Sequence, residues 1–260
     1  MNLNEAIVEI MREAGRIMTD SHDVEKVTEV KPGDVNFVTA YDLAVQKFLK
    51  DRLSALMPEV KYLAEEDDVH VLTEDPTFII DPIDGTTNFI HGVGHSCISV
   101  ALCEGRETVR AFVYDPYRDE LFTAEKGKGA YSHRNGKSTR LHVTDHGLSD
   151  ALIMVGTDPY RKNDTWKQTM EISAKLLLEG RDLRRSGSAV LDLAYMAAGR
   201  YDLFFELMLS PWDYAAGMLL LTEAGGVITT FDREPIPMGK KSSVVAGTPK
   251  AHDDFFNRVR

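Results

Sequence analysis

Cysteine is scarce: Cys97 and Cys103 are the only two among 260 residues. They stand six apart on a predicted strand, with no CxxC and no histidine at zinc spacing, which argues against a disulfide scaffold or a structural zinc site. Long apolar runs are missing as well. No stretch approaches the ~18–20 residues that a membrane span needs. Met1-Asn2-Leu3-Asn4-Glu5 has no basic segment leading into an apolar one, so no secretory signal is expected. There is no internal repeat, low-complexity tract or long linker. A reducing cytoplasm is the expected compartment. Positive charge is also in short supply, with 30 Lys+Arg against 41 Asp+Glu and a net charge of −11. Nucleic-acid and anionic-lipid surfaces both call for excess cations, so neither is an expected partner. A small anionic substrate stays compatible, because clustered carboxylates can gather metal cations that reverse the local sign.

What is present is globular. The chain is 43% hydrophobic and 27% charged, and its length allows one large α/β domain or two small ones. Ile7, Ile10, Met11, Ala14, Ile17 and Met18 recur at helical spacing and predict an amphipathic first helix. Residues 20–38, with Pro32-Gly33, read as a loop or hairpin. A second helix is predicted from Thr39–Asp42 to Pro58, with strands at 60–63 and 78–80 after it. The middle third is β-rich: Ile98, Val100 and Leu102 alternate with smaller residues, 109–114 and 120–123 follow, and Asn135-Gly136 marks a hairpin. From about residue 150 strands and helices alternate. Strands are expected at 153–155, 201–206, 227–229 and 244–246. Helices are expected at 163–179, 188–198 and 213–224, with a closing helix carrying Phe255, Phe256 and Val259. The pattern divides into an N-terminal α+β half with a large sheet, residues 1–150, and a C-terminal α/β half, residues 151–260.

The sharpest local feature is Asp81-Pro82-Ile83-Asp84-Gly85-Thr86-Thr87-Asn88-Phe89, directly after the apolar strand at 78–80. Pro82 removes a backbone donor, so the strand is expected to end there. Asp84, Thr86 and Thr87 are residue types that begin helices. A strand, a turn and a helix start would gather two carboxylates, the Ile83 carbonyl and the Gly85 and Thr86 amides. Hard oxygen ligands of this kind suit Mg²⁺, and exposed amides at a helix start suit an anion. An isolated Asp-x-x-Asp is also what an ordinary strand end and helix cap look like. Trp212-Asp213 opens another predicted helix. Ala215, Ala216 and Gly217 in its first turns allow close packing against a neighbour. Glu65-Glu66 follows a strand, and Asp42 stands at the start of the second helix. Each of these acids taken alone is equally well read as a cap or a solvated loop.

Taken together, the segments resemble the inositol monophosphatase family, within the lithium-sensitive, metal-dependent phosphatase superfamily. The likeness is continuous over Phe78–His91 and over Trp212–Gly226. Val38-Thr39-Ala40-Tyr41-Asp42 and Glu65-Glu66 fall in matching places. The resemblance implies a layered αβαβα sandwich, a homodimer, and two to three Mg²⁺ ions per active site. It implies Glu65, Asp81, the Ile83 carbonyl, Asp84 and Asp213 as metal ligands, and Glu65, Thr86 and Asp42 as catalytic residues. Asp84, Gly85, Thr86, Gly187, Ser188, Ala189 and Glu206 would bind substrate. Ala64 stands where many members have glycine, and the stretch between Glu65 and Asp81 is short, so the cover over the site is expected to differ in shape from theirs.

The implied activity is hydrolysis of myo-inositol 1-phosphate by direct attack of activated water, inhibited by Li⁺. The substrate class is a small phosphorylated cyclitol or sugar. The first alternative is fructose-1,6-bisphosphatase activity, alone or alongside the first. Arg184-Arg185 or Arg161-Lys162 would then meet the second phosphate, although such pairs are usually solvated charges. An alternative of another class is an interaction protein for transcription machinery, as some bacterial relatives are.

Overall fold

A computed structural model describes residues 2–30 and 37–259. Strands β1 (Thr28–Val30) and β2 (Phe37–Thr39) pair antiparallel, the hairpin alternative for this region; Pro32-Gly33 lies outside the described residues. The first large sheet has seven strands in sequence order: β3 (Lys61–Ala64), β4 (Thr77–Asp84), β5 (Cys97–Glu104), β6 (Glu107–Asp115), β7 (Glu120–Glu125), β8 (Gly129–Arg134) and β9 (Lys137–Arg140). Only β3 and β4 run parallel. Asn135 and Gly136, both at positive φ, turn β8 into β9 as their residue types predict. The second sheet comprises β10 (Leu152–Val155), β11 (Asp182–Arg184), β12 (Leu203–Leu209), β13 (Val227–Thr229) and β14 (Ser242–Gly247), in the order β11-β10-β12-β14-β13.

Helices complete five layers. α1 (Leu3–Thr19) and α2 (Ala40–Leu56) cover the outer face of the large sheet. α5 (Ala189–Ala197) and α6 (Pro211–Glu223) lie between the sheets, after the short α3 (Thr86–Ile90) and the long α4 (Lys162–Glu179). α4 and α7 (Pro249–Asp254) cover the far face of the second sheet. Strand alternation builds this sandwich. On β5, Ile98, Val100 and Leu102 point to α1 and α2, while Cys97, Ala101 and Cys103 point to the middle helices. On β12, Phe204 faces inward and Leu203 and Phe205 face outward. The fold is thus the αβαβα sandwich expected. The middle helices are apolar on nearly every side, as a layer between two sheets must be. Gly217 permits their contact: a Cβ there would lie 2.6 Å from that of Leu193, an overlap worth about 1–3 kcal/mol.

Three local expectations need correction. β4 does not stop at Asp81-Pro82 but runs to Asp84. The pairing register with β5 shifts between Asp81 and Asp84, so the missing Pro82 N–H breaks no ladder bond. Gly85, not Asp84, caps α3, at φ +89°. β12 ends at Leu209 rather than Glu206, with a bulge between them, and the edge strand β11 is too short for periodicity to reveal.

Candidate active site

The site begins where β4 ends. Asp81 is paired with Ser99 on β5, and its Oδ1 accepts from the Ile83 amide at 3.1 Å. Asp84 turns away from its own helix and caps another. Its Oδ2 accepts from the Val190 amide at 2.9 Å, at the start of α5, and from the hydroxyl of Ser188, the α5 N-cap. Asp213 is the third residue of α6, and its Oδ2 accepts from the Ser210 amide at 2.6 Å in a capping box. The end of β4 and the start of α6 therefore converge. Asp81, Asp84 and Asp213 each offer a carboxylate oxygen, all within 4.8 Å of one another.

Asp81 and Asp84 are buried and Asp213 is half-buried. Burial, then the charges of Glu65, Asp84 and Asp213, hold the Asp81 carboxyl well above the usual carboxylate range. Burial and Asp84 do the same to Asp213. Burial raises Asp84 to about 6, against the bonds from Ser188 and Val190. Lys241 lies near Asp213, but Asp81 is surrounded by acids. Such a group must take up protons or a cation, and the donors are hard oxygens of the kind that suit Mg²⁺. The residues fit a divalent cation. Glu65, just past β3, is hydrogen-bonded to Asp81 and lines the same cleft, as does Ile83.

Asp42 and Thr86 meet at the cleft floor. Thr39 caps α2, and Asp42 Oδ2 accepts from the Thr39 amide at 2.8 Å and from its hydroxyl at 2.5 Å. That fixes Asp42 Oδ1 at 3.4 Å from Thr86 Oγ1, which also lies 3.1 Å from the Ile83 carbonyl. Gly85, Gly187, Ser188 and Ala189 line the cleft beside them. Gly187 sits at φ +93°, and a Cβ there would lie 2.4 Å from the Arg185 guanidinium. Asn88 Nδ2 donates to the carbonyls of His95 and Ser186 and ties α3 to that turn.

Glu206 stands on the opposite wall. Its Oε1 accepts from the Asp158 amide at 2.7 Å, and burial lifts its carboxyl to about 8. Every sequence-predicted site residue except Asp42 lines this cleft, whose space is about 1130 Å³ counted out to solvent; Asp42 reaches it through Thr86. Sequence reasoning missed Asp158, Asp192 and Lys241, which also line it. It read Arg161 and Arg185 mainly as solvated charges, yet both line the cleft, whereas Arg184 pairs with Asp182 at 2.5 Å. No periodic pattern marks these single residues. They meet because β10 and β12 run parallel and Gly156 N donates to the Phe205 carbonyl, which sets residues 156–158 beside Glu206.

Comparison with known proteins gives the chain a family. The model of the inositol monophosphatase family matches residues 2–260. The chain belongs to the inositol monophosphatase family. Within the family it is 39% identical to Nus factor SuhB of Salmonella typhimurium over 255 residues, 97% of this chain and 94% of that one. It is 37% identical to the inositol-1-monophosphatase of Bacillus subtilis over 249 residues, 95% and 92% of the two chains. The crystal structure of the extragenic suppressor protein suhB from Bartonella henselae superposes with a TM-score of 0.88 at 32% identity, covering 99% of this chain and 98% of that one. Among the described residues, no helix is long and apolar enough to cross a membrane.

Proposed function

We propose that this family member is a Mg²⁺-dependent phosphomonoesterase that hydrolyses myo-inositol 1-phosphate to inositol and phosphate. One observation carries the reading: the carboxylates of Asp81 and Asp84 at the end of β4 and of Asp213 at the start of α6 converge in one cleft, where the charges acting most on Asp81 are those of other acids. The name of the Bacillus subtilis relative supports the substrate.

Glu65, Asp81, the Ile83 carbonyl, Asp84 and Asp213 would hold the metal. Bound there, two to three Mg²⁺ ions would lower the pKa of water and stabilise the leaving oxygen. The chain's own residues do the rest. Thr86 has one hydroxyl proton to give, shared between Asp42 and the Ile83 carbonyl, so its oxygen is left to accept a hydrogen from a water and set that water's direction. Thr39 holds Asp42 with two bonds, so the acceptor does not swing. Gly85 and Thr86 border the position for the phosphate. Ser188, Ala189 and Glu206 face the alcohol end, where a carboxylate can accept from a ring hydroxyl. The mechanism needs no covalent phosphoenzyme. We extend the reading to a cytoplasmic homodimer, as the resemblance implies, which sedimentation would test.

Two observations favour further readings. Arg161, Arg185 and Lys241 border the cleft and offer charge for a second phosphate, as in fructose 1,6-bisphosphate. The name of the Salmonella relative favours a role beside transcription machinery. Phosphate release from myo-inositol 1-phosphate and fructose 1,6-bisphosphate, with Mg²⁺ and Li⁺ titrations, tests the enzyme readings. Release that is Mg²⁺-dependent, Li⁺-inhibited and faster from the monophosphate is expected. No Mg²⁺-dependent release from either ester overturns both, and pull-down of RNA polymerase tests the third reading.

A further inference from the structure

His70 lies in the connection from β3 to β4, eleven residues before Asp81 and outside both family-like segments. Its Nε2 is 3.0 Å from the Ala64 carbonyl and 3.3 Å from the Glu65 carbonyl. Both neighbours are acceptors, so Nε2 carries the proton and donates. Its ring centroid lies 4.6 Å from that of Trp212, the residue before Asp213. We propose that His70 is a positioning residue for the cation site, tying the Glu65 peptide to the helix start that carries Asp213.

The surrounding contacts explain why a tie is needed. The Glu65 N–H donates to the Ile80 carbonyl of β4 at 3.1 Å, so one side of its peptide is held by the sheet. On the α2 side, Gln46 donates to Asp67 and accepts from the Glu66 amide, and Lys50 pairs with Asp67 at 2.9 Å. His70 supplies the hold on the carbonyl side. Leu72 then pins the same connection further on, packed so closely on Gly239 that a Cβ there would lie 2.7 Å from its own. Glu65 belongs to the large-sheet side of the cleft and Asp213 to the middle helices, so their relative position depends on such contacts. Partners one bond removed from metal ligands orient those ligands and set affinity.

This inference rests on the cation reading given above. Calorimetric titration of Mg²⁺ into the metal-free wild type, His70→Phe and His70→Gln tests it. Phenylalanine keeps a ring against Trp212 and removes the donor; glutamine restores a donor without the ring. His70 is exposed, so all three proteins should fold, and matching melting curves would verify that. His70→Phe should bind Mg²⁺ about tenfold more weakly, the low end for outer partners, and His70→Gln within about threefold of wild type. Wild-type affinity in His70→Phe overturns the proposal. So does a His70→Gln protein as weak as His70→Phe, because a restored donor would then fail to restore the affinity. A wild type that takes up no Mg²⁺ removes the cation reading itself and this inference with it.

Discussion

The two walls of the cleft are both acidic, but they solve the problem of buried charge differently. On one wall Asp81, Asp84 and Asp213 face one another within 4.8 Å; burial raises the proton affinity of all three, and like charge adds to it at Asp81 and Asp213. On the other, burial lifts Glu206 to about 8, and the Asp158 amide and the Arg185 charge act against that rise. Asp158 in turn has Arg161 and Lys241 near it. The second wall thus has cations of the chain near its acids. The first is unbalanced and requires something from solution. On the proposed reading, that difference separates a place for cations from a place for the substrate's hydroxyls.

The comparison can be broken by substitution. Asp81→Asn removes the acid at the centre of the unbalanced wall. It should lower kcat/KM for myo-inositol 1-phosphate by about a thousandfold or more and raise the Mg²⁺ requirement, since it would disturb the stabilisation of both attacking and leaving oxygens. Steady-state kinetics on folded protein checks this, and near wild-type turnover would refute it.

A second test reads the buried acids of both walls by pH, with Glu206 raised to about 8 and Asp84 to about 6. The folded-state pKa values of Asp81, Asp84 and Asp213 lie above the unfolded range near 4, so the native metal-free protein holds extra protons between those values. Its stability therefore falls as pH rises, with Asp84 contributing through about pH 6. Denaturant melts without metal should lose on the order of 2 kcal/mol between pH 5 and 8. Mg²⁺ at pH 8 should restore it, because the cation replaces the protons.

Glu206→Gln addresses the second wall. It should raise KM for myo-inositol 1-phosphate by about tenfold, the scale of one hydrogen bond to a charged group, with little change in the Mg²⁺ concentration giving half-maximal rate. A large shift in that concentration would merge the two walls into one site. The smallest effect is expected for Arg185→Ala. It should lower the preference for fructose 1,6-bisphosphate over the monophosphate by about threefold, as befits a solvent-screened charge.

The unbalanced wall was legible in the sequence and the other mostly was not. Asp81 to Thr86 are consecutive, so one strand end brings most of the chemistry together. Asp213 declares itself through a helix start followed by Ala215, Ala216 and Gly217, whose smallness matches the close contact with Leu193. Asp84 as the cap of α5 could not be foreseen, because its partners Ser188 and Val190 lie more than a hundred residues away. Asp158 and Arg185 join Glu206 only through the parallel pairing of β10 with its neighbours. Layer order follows from period-two burial on β5 and β12, but β11 and the run of β4 through Pro82 depend on pairing partners that no local pattern reveals.

The most direct test of the cation site is anomalous scattering from crystals grown with Mn²⁺ in place of Mg²⁺. An anomalous peak among the carboxylates of Asp81, Asp84 and Asp213, lost in Asp81→Asn crystals, is the expected result. Saturating Mn²⁺ with no peak at these three carboxylates would contradict it.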